Sequence, residues 1–172
     1  GNNALNGQYA FNDSSAGWNG GAFIQSIATL GTFNVGDQLS VQFIAAWDEG
    51  TIWGAPNWEI DSLVVTEAVQ SLYTQDFTAN NGAFTVVNVG PVAGPWIYNA
   101  GAGTWRTDGG EGTNQGVASL LNSPAITVSK DGFVKLTFTH RYNFEDVTTF
   151  YDGGQIRISV NGGTYTPVPA AN

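Results

Sequence analysis

The sequence predicts an all-β fold, a two-sheet antiparallel β-sandwich of the jelly-roll kind. Three observations carry that prediction. Apolar and polar residues alternate over many short runs, Gly, Asn and Asp cluster between those runs, and no stretch pairs a helical stripe with capping residues. A strand turns successive side chains to opposite faces, so alternation marks a half-buried strand. In the run Leu39-Ser40-Val41-Gln42-Phe43-Ile44-Ala45-Ala46-Trp47 the odd positions carry the bulkier apolar set.

In chain order, strands are expected over residues 22–29, 39–47, 60–68, 72–78, 83–87, 117–121, 125–128, 134–138 and 156–160. Val134, Leu136 and Phe138 share one face, with Lys135, Thr137 and Thr139 on the other. Ile156, Ile158 and Val160 alternate with Gln155, Arg157 and Ser159. Turn chemistry separates the runs: Asn34-Val35-Gly36-Asp37, Asn80-Asn81-Gly82, Lys130-Asp131-Gly132 and Asn161-Gly162-Gly163. The last predicts a hairpin from 156–160 to 164–166. Residues 90–115, rich in Gly, Pro, Trp and Asn, read as long surface loops around one or two short strands. The Gly-Gly pairs at 20–21, 109–110, 153–154 and 162–163 read as turn elements.

A chain of 172 residues is long enough for one domain with a substantial core. Hydrophobic residues make up 42% and aromatics 13%, which argues against disorder despite 23 glycines. Charged residues are only 11%, and the net charge of −9 with five scattered Lys and Arg disfavours a phosphate-backbone partner. There is no Cys, hence no disulfide framework or thiolate metal site. No apolar run is long enough to insert in a membrane. Methionine is absent even at position 1, so the chain reads as a processed piece of a longer, exported precursor.

At particular motifs the chain resembles the jelly-roll domains that follow bacterial immune-inhibitor-A-type metalloproteases, and related MAM-like or carbohydrate-module-like repeats. Tyr73-Thr74-Gln75-Asp76-Phe77 resembles their opening strand, and Leu121-Asn122-Ser123-Pro124-Ala125-Ile126 a middle one. His140-Arg141-Tyr142 and Tyr151-Asp152-Gly153-Gly154 resemble the His-aromatic strand and hairpin that follow. Gly20-Gly21-Ala22-Phe23, residues 39–47 and Trp58-Glu59-Ile60-Asp61 resemble the closing strands. The order is inverted, because the closing motifs precede the opening one. Residues 1–68 then correspond to the C-terminal half of a sandwich and 69–172 to the N-terminal half. The resemblance implies a circular permutant, one period of a tandem array, or two halves completed by neighbouring copies.

The resemblance also implies structural Ca²⁺ near the opening and closing strands, which points first to Asp61 and Asp76 and, behind them, to Asp152 or Glu145. His140, the sole histidine, continues the apolar face of Val134, Leu136 and Phe138 and reads as a core residue hydrogen-bonded to a loop. No Gly-x-Ser-x-Gly elbow, marked carboxylate pair or phosphate-binding Gly motif is present, so a non-catalytic role is expected. Trp53, Trp96 and Trp105, in Gly-rich segments, are candidates for stacking on polysaccharide. Two functions are therefore expected: an extracellular structural subunit that joins copies of itself in a surface fibre or adhesin-like array, or a carbohydrate-binding module.

Overall fold

The computed structural model describes residues 3–48, 50, 54–109, 116–145 and 151–169. Among these residues twelve strands follow one another: β1 (Ile24–Phe33), β2 (Gln38–Trp47), β3 (Trp58–Glu67), β4 (Gln70–Gln75), β5 (Thr85–Val89), β6 (Ile97–Asn99), β7 (Thr104–Thr107), β8 (Val117–Asn122), β9 (Ile126–Thr127), β10 (Gly132–Tyr142), β11 (Gly153–Val160) and β12 (Thr166–Pro167). The first sheet has the order β1-β10-β3-β7-β6, with β4 also on β3. The second has the order β12-β11-β2-β8-β5, with β9 also on β2. The sheets pack face to face, and every pairing is antiparallel. Among the described residues no helix is long and apolar enough to cross a membrane.

Strands from the two sequence halves interleave in both sheets. In the first, β10 lies between β1 and β3; in the second, β2 lies between β11 and β8. Each sheet therefore contains strands from both halves, 1–68 and 69–172. Their link is a tight hairpin: Glu67 faces Gln70 across the pair, and Ala68 and Val69 make the turn, Ala68 with φ 51°. A left-handed φ is unusual for a residue with a Cβ, and this one reverses the chain inside a single sheet. Beneath the turn, the buried Glu67 carboxylate accepts hydrogen bonds from the Ser129 and Lys130 N–H groups at 2.8 and 3.1 Å. Burial pushes its pKa up, but those N–H groups, the Ser129 hydroxyl and the Lys130 charge outweigh it and hold the carboxyl below its usual value.

The shared core is aromatic at its centre. Trp58 is fully buried and packs against Phe43 at 5.8 Å, Trp96 at 5.5 Å and Phe144 at 6.0 Å between ring centroids. Such rings gain dispersion and edge-to-face contact beyond simple burial. The Gly153-Gly154 pair, expected as a turn, instead opens β11. Gly154 is there because the Trp58 ring lies flat against its backbone: a Cβ would fall 2.6 Å from Cζ3 and 2.7 Å from Cε3. Gly154→Ala is expected to destabilise the protein by about 1–3 kcal/mol, since neither the backbone nor the enclosed indole has room to yield. Urea unfolding checks this, and an unchanged midpoint contradicts the packing described.

The expected 164–166 strand is displaced to Thr166–Pro167, because the turn after β11 is longer than a two-residue hairpin. The Gly163 N–H closes on the Val160 carbonyl, the Ser159 hydroxyl donates to the Gly163 carbonyl, and pairing resumes at Thr166. Residues 90–115 do contain two short strands, β6 and β7.

Candidate metal centre

At one end of the sandwich both sheets deliver an acid. β2 ends at Trp47, and Asp48 follows it; Asp152 immediately precedes β11, the strand paired with β2 through Gly153 and Ala46. Glu145 comes from the other sheet, three residues beyond the end of β10. Along the way Asn143 N–H donates to the Asn57 carbonyl and Phe144 N–H to the Asp13 carbonyl, which carries that segment across the end of the core. One carboxylate oxygen from each of Asp48, Glu145 and Asp152 lies within 4.8 Å of the others.

Asp48 and Asp152 are buried, 6% and 5% exposed, while Glu145 is partly exposed. Local hydrogen bonds hold them in place. The Asp48 N–H donates to Asp152 Oδ1 at 3.2 Å, and the Gly50 N–H donates to Asp48 Oδ1 at 2.7 Å. Behind them the buried Asn57 accepts the Trp47 indole N–H at 2.8 Å and donates to the Gly54 and Asn143 carbonyls at 2.9 and 3.1 Å. Asn3 reaches from the N-terminal segment to the Ala46 and Tyr151 carbonyls. This framework ties β2, the β10–β11 connection and residues 54–57 together around the acids.

The electrostatics are unfavourable without a counter-charge. Among the described residues no Lys, Arg or His pairs with the three acids; the ion pairs lie at Arg106–Asp108, Lys130–Glu67 and Arg141–Glu59. Burial pushes the Asp152 carboxyl up to about 7; the Asp48 N–H opposes this, and the charges of Asp48 and Glu145 add to it. Burial, then the Asp48 charge, also raises Glu145. Three carboxylates offer oxygen donors only, the kind that a hard cation takes.

Of the four acids expected as ligands, Glu145 and Asp152 come together, and Asp48 joins them. Asp61 and Asp76 belong to no such group among the described residues. Asp61 falls where the β3–β10 register slips between Ser62 and Ile60. The exposed Asp76 turns its Oδ1 onto the Thr78 N–H and hydroxyl at 3.1 and 2.9 Å, bonds that hold its pKa down. Asp48 has a signal in hindsight: it is the first acid after a run of strand parity. Nothing local pairs β2 with β11, though, so its partner 104 positions away is not legible.

The tryptophan expectation needs correcting. Trp96 and Trp105 are buried, and their indole N–H groups donate to the Ser119 and Asn81 carbonyls, both at 3.1 Å. Trp96 is drawn into the core against Trp58, and Trp105 sits in β7 against Tyr98, so neither offers a free ring face for stacking. Trp53 lies outside the described residues. His140 is a core residue, but its partners are strand residues, not a loop: Trp58 Nε1–H donates to Nδ1 at 3.0 Å, and Nε2 is 2.8 Å from Ser26 Oγ.

No protein-family model matches this sequence, and no curated protein or solved structure matches it either.

Proposed function

We propose that this chain is a non-catalytic, exported structural β-sandwich, joined to copies of itself in a surface fibre or adhesin-like array and braced at one end by Ca²⁺. The observation that carries this reading is the trio Asp48, Glu145 and Asp152, which brings strand ends of both sheets onto one point. A cation held there clamps sheet to sheet, which is a mechanical role. The sandwich supplies the rest of the stiffness through its continuous aromatic core. The carbohydrate reading is weakened by the burial of Trp96 and Trp105.

The family reading, an immune-inhibitor-A-like or MAM-like jelly roll in permuted order, has its own support. Permutation preserves a fold when the parent's first and last strands are neighbours. Here the strands resembling those ends are β4 and β3, paired antiparallel through a two-residue turn. Residues near the two chain ends, Tyr9 to Phe11 and Val168 to Pro169, line one common cleft of about 370 Å³. Gly1 and Asn172 themselves lie outside the described residues.

Electron microscopy of concentrated protein with Ca²⁺ tests the function directly. Fibres or ordered arrays are the expected result. Dispersed single particles at every protein and Ca²⁺ concentration overturn it.

A further inference from the structure

The first sheet ends in an unusual edge. β1 is ten residues long and pairs only with β10; among the described residues no strand or bridge lies on its other side. An edge strand turns the N–H and C=O of alternate residues outward, and these are a ready template for another strand. Proteins that stay monomeric blunt such edges with lysine, with proline or by keeping them short. β1 is long, and Ile24-Gln25-Ser26-Ile27-Ala28-Thr29-Leu30-Gly31-Thr32-Phe33 carries no charge and no proline; the one blunting device it has is the register slip between Thr29 and Gly31, which leaves Ile24 to Thr29 regular. The other strands with a single partner are shorter, from two residues in β9 and β12 to six in β4.

Two further observations point the same way. Ile27, in the outer row of β1 with Gln25 and Thr29, is 54% exposed, so this edge presents an apolar side chain to water. Ser26, Ile27 and Ala28 also line the cleft together with the buried Phe138 and Ile156, so a recess lies against this edge.

We infer that β1 pairs antiparallel with β1 of a second copy, about a two-fold axis, making one sheet continuous across the two molecules. The choice of occupant rests on charge. The chain carries −9, so copies repel wherever carboxylates meet, but residues 14–36 contain no Asp, Glu, Lys or Arg. Two such edges meet without like-charge cost. A basic partner finds nothing on β1 to pair with and is drawn instead to the acid-bearing ends. An antiparallel pair of identical strands is self-complementary, which is what a two-fold contact requires. Ile27 of each molecule then lies near the axis, covered by its counterpart. A two-fold contact closes at a pair of molecules, so this names one of the surfaces that the array proposed above needs, and it rests on that reading.

Sedimentation velocity from micromolar to millimolar protein tests it, with Ile27→Lys as the probe and Ile97→Lys, on the three-residue β6 at the opposite edge of the same sheet, as the control. Wild type and Ile97→Lys are expected to associate alike, and Ile27→Lys to associate roughly tenfold more weakly or worse, because two lysines meet at the axis. Thr29→Lys, on the same outer row, repeats the test if Ile27→Lys lowers the melting temperature. Wild type that associates while both β1 variants associate equally well overturns the β1 contact and leaves self-association standing. Wild type that stays monomeric throughout overturns both.

Discussion

Asp152→Asn is expected to make the metal-free protein more stable at pH 7.5 and to abolish its response to Ca²⁺. The Asp152 carboxyl moves from 3.8 in the unfolded chain to about 7 in the fold. At about 1.4 kcal/mol per unit, keeping it ionised costs up to about 4 kcal/mol. Asparagine keeps the oxygen that accepts the Asp48 N–H and removes the charge. Unfolding is then expected roughly 5–10 °C higher than in metal-free wild type. Ca²⁺ acts on the same term from the other side: at a hundredfold excess over its Kd it stabilises wild type by about 2.7 kcal/mol, and it leaves the asparagine variant unmoved. Calorimetric melting with and without chelator reads both. A wild type indifferent to Ca²⁺, or a variant that melts lower than metal-free wild type, removes the metal centre from the account.

The second large effect is a dependence on pH that Ca²⁺ uncovers. His140 is fully enclosed by Phe11, Phe138, Tyr142 and Trp58, and burial lowers its pKa from 6.5 to about 3. With Nδ1 accepting the Trp58 indole N–H, the ring's proton sits on Nε2 and is given to Ser26 Oγ. The unfolded chain takes up a proton below 6.5 that the fold refuses. The stability His140 contributes is therefore complete above pH 6.5 and lost as pH falls towards 3, about 5 kcal/mol over the whole interval.

Metal-free Asp152 has the opposite sign. The fold holds a proton there that the unfolded chain releases, so its contribution is complete below 3.8 and lost as pH rises to about 7. Between pH 5 and 6.5 the two slopes nearly cancel. Metal-free protein is expected to show a flat stability profile there. Saturating Ca²⁺ fixes Asp152 as the anion and exposes the histidine slope, a rise of roughly 2 kcal/mol from pH 5 to 6.5. His140→Gln, whose amide can accept from Trp58 and donate to Ser26, is expected to flatten much of that rise. Denaturant unfolding across this window decides it: parallel profiles with and without Ca²⁺ contradict the opposed titrations.

The candidate centre shows where sequence reasoning stops. Glu145 and Asp152 are legible as ligands only through a resemblance, and that resemblance ranks them below Asp61 and Asp76. Asp76 spends its carboxylate on its own turn, and Asp61 falls at a register slip. The bonds of Asp76 to Thr78 are local, an Asx turn, but the register slip at Asp61 has no local signature. Asp48 was missed because its role depends on β2 and β11 being neighbours. The tryptophans failed for a related reason. Gly-rich surroundings suggest exposure, yet Trp96 fills the space over Trp58, where Ser119 satisfies both its backbone and its indole N–H.

The strands themselves were legible. The parity of Leu39, Val41, Phe43, Ala45 and Trp47, and of Val134, Leu136, Phe138 and His140, is the inner face in the structure. That information is local, since a two-residue period and a turn residue are properties of short segments. By itself, then, the sequence determined an all-β chain, most of its strands, their buried faces and the isolation of His140 within an apolar row. The tertiary structure alone decided which strands are neighbours. It placed β10 between β1 and β3, set Asp48 beside Asp152, pressed Gly154 against Trp58 and, among the described residues, left β1 without an outer partner. Those outcomes depend on burial and closure between residues a hundred positions apart, and no short pattern along the chain encodes them.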